Sequence, residues 1–421
     1  MGSKIKSVIA REVFSRRGHP GIEAMVRTDD GARGRAMATA GLSICEHEVK
    51  FVYDGGKRWN GMGVLKAVEN VNTVISKRLV GMDVTRQREI DEVMITLDGT
   101  PDKSRLGGNA TASVSAAALK AAASSLGIPL YQYIGGANAS ILPVPCSGAF
   151  NGSGRYGGGP GSTGDKPSHS FPCYGFKSFS EAAYAGWEVS SEFQQILTRK
   201  FKVGSKVSGY SGIPPGTVKH DRELWQAMTE AIENTGYTNR VGIQIDVAAG
   251  TYYDQEKGVF RGLFSEEELT REELIDLYHD IVKTFPIVIL EDPLEENDFQ
   301  GHAILAKELG IEIVGDDLFV TNPAWLQQGI DVGAANTMLL KVNQVGTMSE
   351  AFDAVELAYR HGYGVMPCAS RGEGEAIADY VVGLGTEQMR GGATSNRLLS
   401  IEKELGSTAK FLGKKGLKLK S

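Results

Sequence analysis

The stretches IVILEDPLEEND (residues 287–298) and EIVGDDLFVTNP (312–323) decide the fold, because each opens with a short apolar, β-branched run that ends in a carboxylate pair. Such runs are typical of buried parallel strands. The pattern recurs upstream in VGIQIDVAAG (241–250) and downstream in TMLLKVNQVGT (337–347). Helical stretches separate these runs, and the alternation predicts a (β/α) barrel whose strand ends carry the chemistry.

Four polar residues stand at the carboxyl ends of these predicted strands: Asp246, Glu291, Asp316 and Lys341. Three carboxylates suit one hard divalent cation, and a lysine beside them suits abstraction of a proton α to a carboxylate. The other interpretation is a set of buried ion pairs. We favour the metal site, because acidic residues rarely converge at this end of a barrel without a metal.

Composition is that of an ordinary enzyme. The 421 residues predict two domains with a large core, and the net charge of −6 gives no reason to expect nucleic-acid binding. The basic end GKKGLKLKS (413–421) is predicted to be a solvated tail. No apolar run reaches the length of a membrane span, and no secretory signal precedes the first strand, so we expect a cytoplasmic protein without membrane partners. Four scattered cysteines predict reduced thiols.

The chain divides near residue 141. Residues 3–54 alternate like a β meander, and the alanine-rich run 110–127 predicts a closely packed helix. LPVPCSG (142–148) then begins a region in which strand and helix alternate to the end. We therefore predict one domain over 1–141 and a second over 142–421.

Long ordered segments carry a family resemblance. AREVFSRRGHPGIEAMVRTDDGARGRA (10–36) and GVLKAVENVNTVISKRLVGMDVTRQREIDEVMITLDGTPDKSRLGGNA (63–110) resemble enolase, as do VGDDLFVTNP (314–323), IADYVVGLGTEQ (377–388) and LLSIEKELG (398–406). The resemblance implies an α/β protein in which an α+β N-terminal capping domain precedes a modified (β/α)8 barrel. It also implies small phosphorylated carboxylic acids as substrates, and we expect a homodimer or higher homo-oligomer.

The resemblance assigns roles at four positions. Asp246, Glu291 and Asp316 match the Mg²⁺ ligands of enolase, and Lys341 matches the base that removes the C2 proton of 2-phosphoglycerate. A free lysine has a pKa of about 10.4, so a basic Lys341 needs neighbouring positive charge to lower its pKa. We expect it to be neutral in the resting site, with its pKa lowered by magnesium and neighbouring cations.

The acidic partners of the reaction are missing. Tyr210 in SGYSGIPP (208–215) and Ser168 in KPSHSFPCY (166–174) stand where enolase has the two glutamates that help expel the C3 hydroxyl. Loss of a positioned general acid typically costs ~10²–10⁴ in rate. We therefore predict inefficient dehydration of 2-phosphoglycerate.

The substrate-binding positions are changed as well. In CASRGEGE (368–375), Ser370 and Arg371 stand in reversed order where enolase has Arg-Ser on the phosphate, and Arg390 replaces a substrate-binding lysine. Arg155 stands where enolase has a histidine in a mobile loop. Ala40 stands where enolase has a serine that helps hold a second magnesium ion. The site has become more basic, which favours substrates with more anionic oxygens.

Two segments have open interpretations. The glycine-rich stretch 151–170 is either a disordered connector or a lid over the substrate, and we favour a lid in which Arg155 and Tyr210 contact a second anionic group. In the loop 39–48, Glu46, His47 and Glu48 match enolase but are equally well explained as structural residues.

Three functions compete. The first is an enolase relative with altered chemistry, similar to carboxyphosphonoenolpyruvate synthase, which joins a nucleotide-activated phosphonoformate to a phosphoglycerate or phosphoenolpyruvate unit in phosphonate biosynthesis. The second is phosphopyruvate hydratase, the glycolytic enolase, with an aberrant site. The third is a non-catalytic binding protein, against which the intact metal ligands argue.

Overall fold

A computed structural model describes residues 3–15, 18–41, 45–152, 154–157, 166–204 and 210–420 of the chain. The strands are β1 Ile5–Phe14, β2 Pro20–Thr28, β3 Arg33–Ala38, β4 Ile141–Leu142, β5 Val144–Asn151, β6 Ser168–Pro172, β7 Ser211–Gly212, β8 Ile243–Asp246, β9 Tyr253–Asp254, β10 Val259–Arg261, β11 Glu268–Leu269, β12 Ile287–Glu291, β13 Glu312–Gly315, β14 Thr337–Leu340, β15 Gly364–Pro367, β16 Gln388–Gly392 and β17 Lys410–Phe411.

The α-helices alternate with the strands in the second part of the chain. They are α1 Leu65–Asn70, α2 Ser76–Leu79, α3 Gln87–Asp98, α4 Gly108–Leu126, α5 Leu130–Gly135, α6 Phe179–Ile196, α7 Arg222–Asn234, α8 Arg271–Thr284, α9 Phe299–Glu308, α10 Pro323–Val332, α11 Val342–Val345, α12 Met348–Arg360, α13 Ala376–Leu384 and α14 Asn396–Leu405. One π-helical turn, Val71–Ile75, joins α1 to α2.

The N-terminal part is an antiparallel meander of β1, β2 and β3 covered by helices. The alanine-rich helix α4 packs on β2 and β3, and most of its residues are buried. The contact is closest at Gly34, where an added Cβ would lie 1.9 Å from the carbonyl oxygen of Ala117. Small residues on both surfaces therefore let the helix backbone approach the sheet, as the sequence predicted.

The second part is an eight-stranded barrel. Its strands follow the order β15-β14-β13-β12-β8-β6-β5-β16, and parallel bridges Val365–Glu387 and Cys368–Arg390 close the ring between β15 and β16. Strand β6 is antiparallel to both β5 and β8, whereas the other barrel pairs are parallel. The predicted fold, a capping domain followed by a modified (β/α)8 barrel, is confirmed.

The two parts meet at the carboxyl ends of the barrel strands. The backbone N–H of Thr39 donates to the carbonyl of Arg371 at 2.9 Å, and that of Val49 donates to the carbonyl of Gln344 at 3.0 Å. Lys103 also donates to Glu350 at 2.8 Å. Thr39 and Val49 are thus fixed over the end of the barrel where the predicted site residues lie.

Within the described residues, no single helix has the length and apolar character needed to cross a membrane; only the bent pair Gly108–Leu126 and Leu130–Asn138 passes that test.

Candidate active site

A cavity of about 780 Å³ opens at the carboxyl ends of the barrel strands. Six of the sequence-predicted site residues line it: Ser168, Tyr210, Lys341, Ser370, Arg371 and Arg390. Because parallel strands present their carboxyl ends at one side of a barrel, residues more than 200 positions apart in sequence meet here.

Two of the predicted metal ligands are neighbours on adjacent strands. Asp246, the last residue of β8, and Glu291, the last residue of β12, are register partners in a parallel pair. Gln244 precedes Asp246 by two residues and so faces the same side of the strand. Its side-chain amide donates to Glu291 at 3.3 Å and accepts from the Ser170 hydroxyl at 2.9 Å. A buried hydrogen-bond network therefore orients the glutamate.

The third predicted ligand, Asp316, forms an ion pair with Lys341. Its second oxygen accepts from the side-chain amide of Gln344 at 2.8 Å. Burial alone raises the pKa of Asp316, but the charge and hydrogen bond of Lys341, together with the charges of Arg371 and Lys166, lower the pKa to about 2. Lysine and aspartate are thus both charged.

The protonation of Lys341 depends on the groups around it. Burial lowers the pKa of this lysine, yet Asp316, together with Cys368 and Asp317, more than reverses the effect, so its pKa lies above the ordinary value. The pairing with Asp316 thus favours a protonated Lys341, whereas the neutral amine expected from the sequence depends on a nearby magnesium ion and stays a prediction. Sequence alone did not reveal this direct pairing with a carboxylate.

Arg390 connects the other two carboxylates. Its guanidinium donates to Glu291 at 2.6 Å and contacts Asp246, and it also donates to the hydroxyl of Ser168 at 2.7 Å. Burial raises the pKa of Glu291 to about 8 despite the arginine. Ser168, at one of the predicted acid positions, is therefore a hydrogen-bond acceptor beside the carboxylates and carries no acidic group.

Tyr210, at the other predicted acid position, lines the cavity with its ring against Gly148. An added Cβ on that glycine would lie 3.1 Å from the ring. Burial raises the pKa of Tyr210 to about 12. The phenol is therefore a much weaker acid than the carboxylic acid it replaces. Residues 208 and 209 of the predicted loop lie outside the described part of the chain.

Arg371 is held by the capping domain. Its guanidinium forms a buried ion pair with Glu48, with Nη2 2.5 Å from Oε1. Glu48 therefore has a structural role, one of the two interpretations left open. His47 also makes structural contacts: its Nε2 lies 2.9 Å from the side-chain oxygen of Asn297, and its ring lies against Trp325.

Arg155 is not brought together with the cavity residues. Its side chain is 1 % exposed and donates to the fully buried Asp221 at 2.5 Å, while Tyr156 donates to the same carboxylate at 2.8 Å. Phe150 lies beneath the guanidinium at 5.5 Å. The substrate-binding role of Arg155 therefore stays a prediction. Residues 153 and 158–165 of the predicted lid lie outside the described residues.

A second acidic group overlaps the predicted metal ligands. One oxygen each of Asp292, Asp316 and Asp317 lies within 4.8 Å of the others. However, Asp292 already accepts the backbone N–H groups of Asp316 and Asp317 at 2.9 and 3.0 Å, which fixes the turn after β13. We therefore regard Asp292 as a turn-forming residue and retain Asp246, Glu291 and Asp316 as the candidate ligands.

Sequence reasoning missed three polar residues of the site: Lys166, Gln244 and Gln344. Lys166 contacts Asp246 and lines the cavity, although it lies in a segment that we interpreted as a lid. The available signal for Gln244 was a polar residue inside an apolar strand, two positions before a predicted ligand. No pattern in the sequence singles out Lys166.

This arrangement defines a two-domain barrel enzyme whose site combines buried carboxylates with a lysine. The family model described as "Enolase, N-terminal domain" matches residues 5–134. The model described as "Enolase, C-terminal TIM barrel domain" matches residues 139–420. The chain is 44 % identical to the enolase of Methanopyrus kandleri, covering 97 % of each chain. It is 43 % identical to the enolase of Methanocaldococcus jannaschii (98 % and 97 % covered) and 42 % identical to that of Bifidobacterium animalis subsp. lactis (97 % of each). The chain belongs to the enolase family.

Proposed function

We propose that this protein removes the proton α to the carboxylate of a small phosphorylated acid, and that elimination of water does not complete its reaction. One observation carries the proposal. The chain keeps Lys341 in the cavity and the three carboxylates that contact cavity-lining cations, whereas the residues at both predicted acid positions, Ser168 and Tyr210, lack a carboxyl group.

The candidate ligands fit the Mg²⁺ ion on which the enolase family depends. Asp246, Glu291 and Asp316 offer hard oxygen donors in a buried site. The Oδ1 atom of Asp246 is buried and has no hydrogen-bond partner among the described residues, so one donor is already uncommitted. A divalent cation held there supplies positive charge that stabilises negative charge on a substrate carboxylate.

Lys341 is the proposed base. It accepts a proton only as a neutral amine, and its ion pair with Asp316 opposes that state. Asp316 would therefore have to pair with a different cation before Lys341 acts as a base. This arrangement supports an order in which a cation binds the carboxylates first and Lys341 loses its ion pair with Asp316 second. Gln344 keeps Asp316 in place throughout, through its 2.8 Å hydrogen bond.

The second half of a water elimination is the departure of hydroxide, and the site lacks the acidic residues that this step needs. Hydroxide needs a proton to leave, and the phenol of Tyr210 has a pKa of about 12 because of its burial. Ser168 already accepts a hydrogen bond from Arg390. Without a positioned acid, elimination is expected to be slower by ~10²–10⁴.

A finer form of the proposal is synthesis of carboxyphosphonoenolpyruvate or a related product from nucleotide-activated phosphonoformate and a phosphoglycerate or phosphoenolpyruvate unit. Its support is the basic character of the cavity, where Lys166 and Arg390 accompany Lys341. Guanidinium and ammonium groups suit phosphonate oxygens. The similar proteins named above give this finer form no support.

Phosphopyruvate hydratase activity is the second candidate. It is favoured by the name enolase on relatives that are 42–44 % identical over nearly the whole chain. It requires that water leave without the two glutamates. The comparisons favour this candidate over phosphonate chemistry, and the cavity side chains favour the opposite, so a direct assay has to decide.

The deciding assay uses purified protein with Mg²⁺ and follows phosphorus signals by nuclear magnetic resonance. We expect little phosphoenolpyruvate from 2-phosphoglycerate alone, and a new phosphorus-containing product once nucleotide-activated phosphonoformate is added. The Lys341→Ala variant is the control and should form neither product. Rapid phosphoenolpyruvate formation from 2-phosphoglycerate alone would establish the second candidate instead.

The homo-oligomer and the cytoplasmic location expected from the sequence remain proposals. The rings of Tyr184 and Trp187 on α6 are 59 % and 61 % exposed and stack with centroids 6.2 Å apart, which supports an interface on this helix. Trp187→Glu should lower the mass measured by light scattering if this face joins subunits.

A further inference from the structure

Two cations that line the cavity contact the same carboxylate oxygen. Lys166 Nζ and the Arg390 guanidinium both contact Oδ2 of Asp246, while Oδ1 of the same aspartate has no hydrogen-bond partner among the described residues. Arg390 has further partners in Glu291 and Ser168. Within the described part of the chain, Lys166 forms its ion pair with Asp246. Lys166 is therefore the more easily exchanged of the two.

The backbone fixes Lys166 at the rim of the cavity. Its carbonyl accepts a hydrogen bond of 2.5 Å from the hydroxyl of Tyr252, and the residue lies two positions before Ser168 at the start of β6. The side chain is 13 % exposed and lines the cavity. A lysine has a long, flexible stem that carries a point charge, so the ammonium can move while the backbone remains in place.

The carboxyl groups and cations of the site lie in pairs. Asp246 faces Lys166 and Arg390, Glu291 faces Arg390, and Asp316 faces Lys341. Three carboxyl groups thus contact three cations. A divalent cation on those carboxylates would leave the lysine and arginine charges uncompensated, and buried charge without a partner is strongly unfavourable. An anionic ligand would compensate these charges.

We propose that Lys166 is an exchangeable counter-ion, which neutralises Asp246 in the metal-free protein and binds a phosphate or phosphonate oxygen of the ligand when a metal occupies the carboxylates. The inference rests on the proposed function, because it needs the metal at Asp246. It makes Lys166 a substrate-binding residue and couples the two binding events: metal binding releases the lysine for the anion, and the anion holds it away from the carboxylate. Such coupling is reciprocal by thermodynamic necessity.

The test compares Lys166→Gln with the wild type in two titrations that do not depend on turnover. Calorimetry without anion should show Mg²⁺ binding about tenfold more tightly to the variant, because no ammonium has to be displaced. Phosphorus resonance titration of inorganic phosphate at saturating Mg²⁺ should show affinity about tenfold weaker in the variant. Lys166→Arg should keep most of the phosphate affinity. The exposed Lys177→Gln is the control and should change neither constant.

The outcomes separate this inference from the proposed function. If Glu291→Gln loses Mg²⁺ affinity but Lys166→Gln changes neither constant while circular dichroism shows a folded protein, the inference is wrong and the metal site stands. Weaker Mg²⁺ binding in Lys166→Gln would also overturn it, since the lysine would then support the metal. Wild-type protein that binds no Mg²⁺ would overturn both.

Discussion

Arg371 and Glu48 form an ion pair between the barrel and the capping domain, and each side chain is only 2 % exposed. Arg371 follows β15, whereas Glu48 lies in the loop that precedes the first helix of the chain. Burial lowers the pKa of Arg371, but Glu48 more than reverses that effect, so the arginine stays charged. The pair places a fixed positive charge at the cavity wall and fastens the capping domain over it.

Removing one member of this pair should destabilise the protein. Glu48→Gln leaves a buried guanidinium without its carboxylate, and loss of one partner of a buried pair typically costs about 3–5 kcal/mol. We expect a clearly lower urea midpoint for the variant. Glu46→Gln, at a neighbouring side chain that is 72 % exposed, is the matched control and should leave the midpoint unchanged. Equal midpoints for both variants would show that the pair contributes nothing to stability.

Arg155 should behave as a structural residue in the free protein. Its partner Asp221 is fully buried, so Arg155→Ala should lower the unfolding free energy by about 3 kcal/mol. Arg199→Ala, which breaks an exposed pair with Glu192, is the control. A substrate role would appear separately, as a KM that rises for the phosphonate-bearing substrate more than for the three-carbon acid. An unchanged unfolding free energy would contradict the structural role.

Glu291→Gln should weaken Mg²⁺ binding while the fold persists. The variant keeps the shape of the side chain but removes one negative charge from the ligand set, and we expect calorimetric affinity to fall at least about tenfold. Glu308→Gln, at a half-exposed glutamate on α9, serves as the control. Unchanged affinity in Glu291→Gln would refute the assignment of Asp246, Glu291 and Asp316 as ligands.

Glu312 predicts a pH dependence of stability. Burial raises the pKa of this carboxyl above its ordinary value of 4.5, although Thr337 and Gln388 donate hydrogen bonds to it. The folded state therefore holds the proton more tightly than the unfolded state, and stability falls as pH rises from 4.5 to the raised pKa. Glu312→Gln lacks this titration.

The measurement for Glu312 is the difference in unfolding free energy between variant and wild type across that pH window. Relative to wild type, the variant should become more stable as pH rises, whatever constant offset the amide introduces. A difference that does not change with pH would show that Glu312 has an unshifted pKa in the folded protein.

The fold could be predicted because its signals are local and repeated. The apolar runs before Asp246, Glu291, Asp316 and Lys341 each become a barrel strand, and each polar residue lies at or just beyond the strand end. The alanine-rich run also becomes a closely packed helix. Strand period and strand-end chemistry are properties of a few neighbouring residues. They can therefore be recognised without knowing how the rest of the chain folds.

The pairings inside the site could not be predicted in the same way. Lys166 meets Asp246 across 80 positions, and Arg155 meets Asp221 across 66. Such contacts depend on the positions that distant loops take over the barrel. Those positions produce no periodic pattern in the sequence. The protonation of Lys341 depends equally on its contact with Asp316. The expected neutral amine, which depends on magnesium, therefore stays a prediction, while the ion pair with Asp316 favours the protonated form.

The most direct test of the central claim is incubation of 2-phosphoglycerate with the protein and Mg²⁺ in D₂O, followed by proton and phosphorus resonance. We predict that deuterium enters C2 while little phosphoenolpyruvate forms, and that Lys341→Ala abolishes the exchange. Phosphoenolpyruvate formation near the median enzyme turnover of ~10 s⁻¹ would contradict the account, because water elimination would then be intact.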